Sequence, residues 1–596
     1  MSNQKNPRVY MLAILFCLMT VLIFSRIMYI QIALKDLGRS INERSSIKQK
    51  DLEAVRGNIY DRWGNLLAGN VEVYEIGVDL IHLVDATEEE KWDLANFLSS
   101  LTELNVNDIY NRINIPYDKQ LAVFSTIYKD APKEMIEKII EAREDKEIYK
   151  SIAWNGRLTR RYPEGSLAAN VLGFYASEGY YGVEEYFENM LATPSQKTEI
   201  YMAPYDPIII PEIPHGASVM LTIDREIQSR TEKILDAAVE NNGAASGTII
   251  VMDPRNGEIL SMATTPRADL NLPANLILSA YPELNVNGET IQTPFNRAIM
   301  QTYEPGSVFK VITMAAAIDA GVVTPDTPFI DTGYVEIYGA PVQNWDYGAW
   351  GPQTMTTCMQ HSLNVCLASV AKMLDIPGFY SYLNAFNIDR KTNIDLNGER
   401  NYPLLSPQNP TPFGSDFNAP KWDERMLAYQ SFGQGVAVTP IRMISSISAL
   451  ANEGRIMAPH VQKAIIQGDK IRYFNPMIVS TPIKPETAKT MTEMLSISLE
   501  VESSDALVDG YRVAGKTGTA EIPTLGGYTE NLTNASFVGW GPTDDPEFIV
   551  YVWLEKPTTS IWSSVVAAPV FRDVVEELVI LLDIPPDEIR MQMANQ

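Results

Sequence analysis

The chain has 596 residues, enough for several domains and a large core. It is 45% hydrophobic and 20% charged, which reads as globular, and its formal net charge of −26 argues against nucleic acid as the main partner, since phosphate binding needs clustered cations. Three cysteines (Cys17, Cys358, Cys366) and four histidines, with no His-Glu-x-x-His pattern or zinc-like spacing, leave no expected metal or other cofactor and argue against a Ser-His-Asp triad. Cys17 lies in an apolar run, so at most one disulfide can form in the soluble part.

Residues 1–8 are polar and carry Lys5 and Arg8. Val9 to Phe24 is apolar apart from Thr20, and the apolar character resumes at Ile27. A bilayer crossing takes about 20 helical residues, so residues 9–30 are expected to form one transmembrane anchor with Arg26 snorkelling at its end. Lys5 and Arg8 predict a cytoplasmic N-terminus and an extracytoplasmic remainder. The length of the run and the lack of a small-x-small cleavage site argue against a signal peptide.

Leu34 to Asp51 is polar and is expected to leave the membrane as a helical stalk. Arg56 to Ala68 reads as a strand, a glycine-containing turn and a second strand. Thr87 and Glu90 form a capping box, followed by Leu94, Phe97, Leu98 and Leu101 on one helical face. Met135, Ile136, Ile139 and Ile140 mark a second amphipathic helix. No nucleophile stands out here, so the region reads as a non-catalytic module. Tyr201 to Ile213 is proline-rich and extended, a candidate boundary.

Beyond it, Ser218 to Ile223 predicts a strand and Arg225 to Asn241 a helix. Residues 247–253 and 258–263 flank a Pro-Arg-Asn-Gly turn and predict a hairpin. Ser536–Trp540 and Phe548–Leu554 predict another, and Val565 to Leu582 a helix that ends the fold. Strands early and late with helices between make an α+β domain.

The pattern Ser-x-x-Lys occurs at Ser45–Lys48, Ser307–Lys310 and Ser369–Lys372, so it means little alone. Only the second opens an Ala-rich apolar run, Val311 to Ile318, which must be a buried helix. Lys310 then returns to the face of Ser307. A serine needs a nearby base, and a lysine whose charge is disfavoured by burial can be one. Downstream lie Ser362–Leu363–Asn364 and the strand-like Lys516–Thr517–Gly518–Thr519. Ser362 can relay a proton to a leaving amine, and Asn364 can bind a substrate amide. Lys516 offers a cation to a carboxylate, supported by Thr517 and Thr519, while Gly518 leaves room for an extended substrate at an edge strand. His361 reads as a polar loop residue. Gly510 to Thr517 also matches the P-loop pattern, but Tyr511–Val513 looks extended and Pro523 follows closely, so a phosphate-binding helix is not expected.

Taken together, these motifs resemble class B penicillin-binding proteins, the single-pass peptidoglycan transpeptidases of cell division or elongation. Arg56–Ala68, Arg161–Gly165 and Gly182–Glu184 resemble the family's non-catalytic motifs. Asn296–Arg297, Tyr303–Lys310, Ser362–Asn364, Phe432–Gly435 with Thr439–Pro440, and Lys516–Thr519 follow in the family's order. His361 stands where a small residue is common, and Asn387 where a glycine is expected.

The resemblance implies a penicillin-binding, serine β-lactamase-like transpeptidase domain with an N-terminal pedestal. It divides the chain into a tail at 1–8, an anchor at 9–30, a dimerisation or pedestal domain at 31–213, a transpeptidase domain at 214–585 and a tail at 586–596. It implies that Ser307 attacks the D-Ala-D-Ala bond of a stem peptide, that the acyl-enzyme is aminolysed by a second stem, and that β-lactams acylate the same serine. The oxyanion would be held by the backbone N–H groups of Ser307 and Thr519. A polytopic glycan polymerase is the implied membrane partner. The alternatives are a β-lactam sensor or inactive scaffold of the same fold, or a D,D-carboxypeptidase or β-lactamase.

Overall fold

The computed structural model describes residues 11–12, 14–30, 47–52, 55–118, 123–192, 196–201, 215–286, 289–411, 421–524 and 527–594. They form two compact units, Met1–Arg56 with Ala192–Gly216, and Gly57–Leu191 with Ala217–Gln596.

In the first unit, residues 11–12 and 14–30 are helical with exposed side chains. Among the described residues, no helix is long and apolar enough to cross a membrane. Ile47–Leu52 is a strand paired antiparallel with Gln196–Tyr201, not the end of a helical stalk. Thus the polar composition of 47–51 misleads: a two-stranded ribbon and a solvated helix can share it. The rest of the expected stalk, and the proline-rich boundary from 202 onward, lie outside the described residues.

The second unit opens with Ile59–Tyr60, a turn, and the long strand β1 (Leu66–Asp79). Helix α1 (Glu88–Thr102) begins at the expected capping box and buries Leu94, Ala95 and Leu98. Strand β2 (Phe124–Ala131), helix α2 (Lys133–Ala142) and strand β3 (Ile152–Arg161) complete a small layer, with β1 pairing to both β2 and β3. Ile136 and Ile139 of α2 point into its core, whereas Ile140 is half exposed. Ile59–Tyr60 also pairs, in parallel, with Ser218–Leu221, so this layer and the C-terminal part share one sheet.

The motifs at 161–165 and 182–184, with Arg160 just before the first, meet in that join. Arg160 Nε donates to Glu184 Oε1 at 2.7 Å with both side chains almost wholly buried, Tyr162 Oη donates to the same oxygen, and Arg160 Nη1 donates to Gly57 O. Removing one member leaves a buried charge without its partner, which typically costs about 3–5 kcal/mol. Glu184→Ala is therefore expected to lose about that much in a denaturant titration. A loss below about 1 kcal/mol would contradict the role assigned to this pair.

The C-terminal part is built on a five-stranded antiparallel sheet. Its elements follow helix α3 (Arg225–Asn242) and are β4 (Ser246–Met252) and β5 (Ile259–Thr264), then, after a long helical insertion, three late strands. The insertion contains α4 (Lys310–Asp319), α5 (Met355–Gln360), α6 (Asn364–Ala385) and α7 (Pro485–Glu502). The late strands are β6 (Ala514–Thr524), β7 (Gly527–Gly541) and β8 (Phe548–Glu555), and the sheet runs β5-β4-β8-β7-β6. Both faces of its centre are buried. Ile249 and Val251 of β4 and Val550, Val552 and Leu554 of β8 lie in one cluster with residues of α3 and of the C-terminal helix Ala568–Leu581. Ile250, Met252, Tyr551 and Trp553 lie in the other, with the apolar residues of α4. Strands covered on both faces read as continuous apolar runs, which is how β4 and β8 appear in the sequence. The edge strand β6 is left facing the helical insertion, and the site forms there.

A short helix α8 (Ser563–Val566), α9 (Ala568–Leu581) and α10 (Asp587–Ala594) close the chain. The helix expected at 565–582 thus does not end the fold. Asp587 N–H donates to Gly510 O, and Arg512 N–H donates to Asp587 Oδ2, so α10 is tied to the segment that enters β6. Pro585–Pro586 breaks the helical pattern and hides this continuation in the sequence.

Candidate active site

Ser307 is not yet in an α-helix. Gly306–Phe309 is a single 3₁₀ turn that leads directly into α4. The turn is held from behind, where Gly306 N–H donates to Gly433 O of the Phe-Gly-Gln-Gly loop. Gly306 has φ +56°, and a Cβ there would come within 2.8 Å of Thr519 O. The requirement for glycine is thus both conformational and steric. Ser307 faces a cleft of about 580 Å³ that also reaches Ser362, Asn364, Lys516, Thr517 and Thr519. The residues picked out by motif therefore converge, and Gly518 lies between the last two on the same strand.

Lys310 is buried, and its Nζ donates to Ser362 O at 2.6 Å and to Ser362 Oγ at 3.1 Å. The Lys310 N–H donates to Ser307 O within the turn, while its Nζ is directed to Ser362 rather than to the Ser307 hydroxyl. Burial, and secondarily the charge of Lys516, hold its pKa well below that of an ordinary lysine. Burial thus favours the neutral amine, which is the form a base requires. Lys516 is buried as well. Burial lowers its pKa to about 8, against the opposing pull of Glu502, so it stays largely cationic at neutral pH.

Ser362 sits in the turn between α5 and α6 with φ +55°, in the left-handed region that a side chain other than Asn or Asp rarely adopts. The turn is bracketed. A disulfide joins Cys358 of α5 to Cys366 of α6, and Lys310 holds Ser362 from within. His361 lies in the turn, as expected of a loop residue, but it also packs on Trp350 with ring centroids 4.1 Å apart, and its Nδ1 lies 2.7 Å from Glu502 Oε1. Trp345 Nε1–H donates to His361 O. Asn364 Nδ2–H donates to Gln343 O, which fixes the amide and leaves its oxygen as the group available to a ligand.

Lys516 to Thr519 lies in β6, in register with Val538 to Ala535 of β7. A P-loop would have to open a helix here, so that reading is excluded. Gly518 is needed for a reason other than substrate approach. An added Cβ would meet Ser536 Oγ at 2.6 Å and Val308 Cγ1 at 2.8 Å, so the catalytic turn itself occupies the space. Thr519 Oγ1 lies 2.9 Å from the hydroxyl of buried Ser563, a residue no motif marks. Nor does any motif mark Glu502, the last residue of α7, which reaches the cleft only through the packing of that helix.

The competing pairs do not assemble. Ser369 donates its hydroxyl to Val365 O within α6, and Lys372 is exposed near the Tyr338 ring. Ser45 lies outside the described residues. Among the described residues no group of three or more His, Cys, Asp or Glu side chains is placed to hold a metal.

A serine on a short turn beside a buried lysine, facing a Lys-Thr-Gly-Thr edge strand across a cleft, defines a serine acyltransferase of the penicillin-recognising class. Residues 247–576 match the family described as the penicillin binding protein transpeptidase domain, and residues 51–202 the penicillin-binding protein dimerisation domain. The chain belongs to the penicillin-binding protein transpeptidase family. Stage V sporulation protein D of Bacillus subtilis is 28% identical over 100% of this chain and 89% of its own length. The peptidoglycan D,D-transpeptidase FtsI homolog of Mesostigma viride is 26% identical over 98% of each chain. The crystal structure of penicillin binding protein 2X from Streptococcus thermophilus shares the fold, with a TM-score of 0.71 at 20% identity, covering 90% of this chain and 80% of that one.

Proposed function

We propose that this chain crosslinks peptidoglycan stem peptides as a D,D-transpeptidase and is acylated by β-lactams at the same serine. The observation that carries this is the convergence of Ser307, neutral-prone Lys310, Ser362 and cationic Lys516 on one cleft. Lys516 and Thr517 hold the terminal carboxylate of the donor stem. Ser307 Oγ attacks the carbonyl carbon of the D-Ala-D-Ala bond while Lys310 Nζ takes its proton. The oxyanion is held by the N–H groups of Ser307 and Thr519. The proton passes through Ser362 to the departing D-Ala amine, which leaves an ester on Ser307. An acceptor amine from a second stem then attacks the ester, gives its proton back along the same path, and Ser307 is restored as the new amide forms.

The same proposal takes residues 9–30 as a single-pass anchor, with the N-terminus cytoplasmic and the catalytic domain outside. The apolar run with Lys5 and Arg8 before it supports this, as do exposed Phe16 and Phe24. The Cys358–Cys366 disulfide also supports it, because such bonds persist chiefly in oxidising compartments. We further take 31–213 as pedestal and 214–585 as transpeptidase domain, and a polytopic glycan polymerase as partner.

The test uses full-length protein with lipid-linked glycan precursor and such a polymerase, followed by muropeptide analysis. Crosslinked dimers that vanish in Ser307→Ala and with penicillin are expected. Trimmed stems without dimers would make the enzyme a carboxypeptidase, and acylation without any turnover would make it a sensor.

A further inference from the structure

The family's motifs leave Ser563 unassigned, yet it is hydrogen-bonded to both β6 and β7 at the substrate strand. It opens α8, is 1% exposed, and lines the cleft. Its Oγ lies 2.7 Å from Gly518 O, 2.9 Å from Thr519 Oγ1 and 3.3 Å from Ser536 N, and its own N–H donates to Thr519 Oγ1 at 3.2 Å. The hydroxyl of Ser536 also donates to Gly518 O, at 3.1 Å. Two hydroxyls therefore converge on one carbonyl of the edge strand.

That carbonyl belongs to the peptide unit whose N–H is on Thr519. In a trans peptide, C=O and N–H point in opposite directions, so pinning the Gly518 oxygen on one side aims the Thr519 N–H to the other. The opposite side is the catalytic turn, since Thr519 O lies 2.8 Å from where a Gly306 Cβ would be. We propose that Ser563 is a positioning residue that sets the oxyanion-binding peptide and governs the hydroxyl of Thr519. This rests on the reading of Ser307 and Thr519 as the two oxyanion donors.

The proton inventory gives the device two states. Each hydroxyl has one proton. When Ser563 donates to Gly518 O, its contact with Thr519 requires Thr519 to donate to Ser563, and Thr519 has no proton left for a substrate carboxylate. When a carboxylate arrives beside Lys516 and takes the Thr519 proton, Ser563 still accepts from Ser536 N–H and still donates to Gly518 O, with Ser536 sharing that oxygen. The peptide thus stays aimed while the hydroxyl is released. One side chain thus serves both sites, and carboxylate binding leaves the oxyanion peptide as it was.

The experiment measures the saturating acylation rate and the pre-covalent dissociation constant separately, by stopped flow with a chromogenic cephalosporin, and maps the adduct by peptide mass. Ser563→Ala is expected to slow acylation about 10- to 100-fold, with the dissociation constant changed less than about threefold, since one misaimed oxyanion donor affects the transition state more than the ground state. Ser563→Thr, which keeps the hydroxyl, is expected to recover most of the rate, and Ser563→Cys, which keeps only a weak donor, to remain slow. Should the alanine variant fail to fold, the threonine and cysteine variants carry the comparison alone, and equal rates in those two would overturn the proposal. Wild-type rates in a folded Ser563→Ala would overturn it with the parent reading intact, because the adduct would still map to Ser307. An adduct on any other residue would overturn both.

Discussion

Ser307→Ala is expected to abolish covalent labelling by a fluorescent penicillin while leaving the protein folded. The hydroxyl is the only atom lost, and Ser307 is half-buried at the mouth of a cleft, so the stability change is expected to stay within about 1 kcal/mol. The rate should fall by about 10⁴-fold or more, because nothing else in the cleft replaces the nucleophile and the remaining groups act only as a unit with it. Ser369→Ala supplies the control. It carries the same Ser-x-x-Lys pattern, but its hydroxyl is spent on Val365 O and its lysine is solvated, so its labelling is expected to match wild type. Labelling that survives in Ser307→Ala and disappears in Ser369→Ala or Ser45→Ala would overturn the assignment. Equal melting curves for the variants and wild type separate lost chemistry from lost fold.

Ser307 stands out in the sequence because the helix that follows it is almost wholly apolar, and a lysine opening such a helix has to be buried. The long strand segments are legible for a similar reason: Ile249–Met252 of β4 and Phe548–Leu554 of β8 are continuous apolar runs covered on both faces. What the chain does not reveal locally depends on distant packing. Glu502 is at the end of an ordinary amphipathic helix, and nothing nearby distinguishes it from a solvated glutamate. His361 reads as a loop residue because its partners, Trp350 and Glu502, approach from 11 and 141 positions away. Ser563 is a serine at the start of a four-residue helix, a common place for one, and only the register of β6 against β7 brings Thr519 and Ser536 to it. Gly518 stands out too, but the local pattern suggests the wrong reason. Its neighbour is the catalytic turn, an approach between residues far apart in the chain that no local pattern encodes.

The two buried lysines impose a pH dependence whose limbs can be assigned in advance. Lys516 acts as a cation with a pKa of about 8, so the grip on the substrate carboxylate is expected to fail as pH rises through that value. Lys310 acts as a neutral base, so acylation is expected to fail at lower pH, as it becomes protonated. The second-order acylation constant should therefore be bell-shaped. The two titrations are coupled, because the Lys516 charge helps to hold Lys310 neutral. Lys516→Ala should accordingly do two things at once. It should lower the constant by about 30- to 1000-fold through the lost charge-assisted contact, and it should move the acid limb to higher pH as Lys310 regains basicity. Glu502→Gln keeps a hydrogen-bonding partner for His361 but removes the carboxylate that raises the Lys516 pKa, so the alkaline limb should move to lower pH with the acid limb nearly fixed. Stability follows the opposite logic from activity. With the folded pKa of Lys516 below its unfolded value of 10.5, the unfolded chain holds the extra proton between about pH 8 and 10.5, and stability rises across that window. Below about pH 8 the enzyme keeps a buried cation at a cost to its own stability, so Lys516→Met is expected to melt higher than wild type at pH 7 while acylating far more slowly. A Lys516→Met protein that melts lower, or an alkaline limb that stays in place in Glu502→Gln, would show that the charge of Lys516 is governed by something other than burial and Glu502.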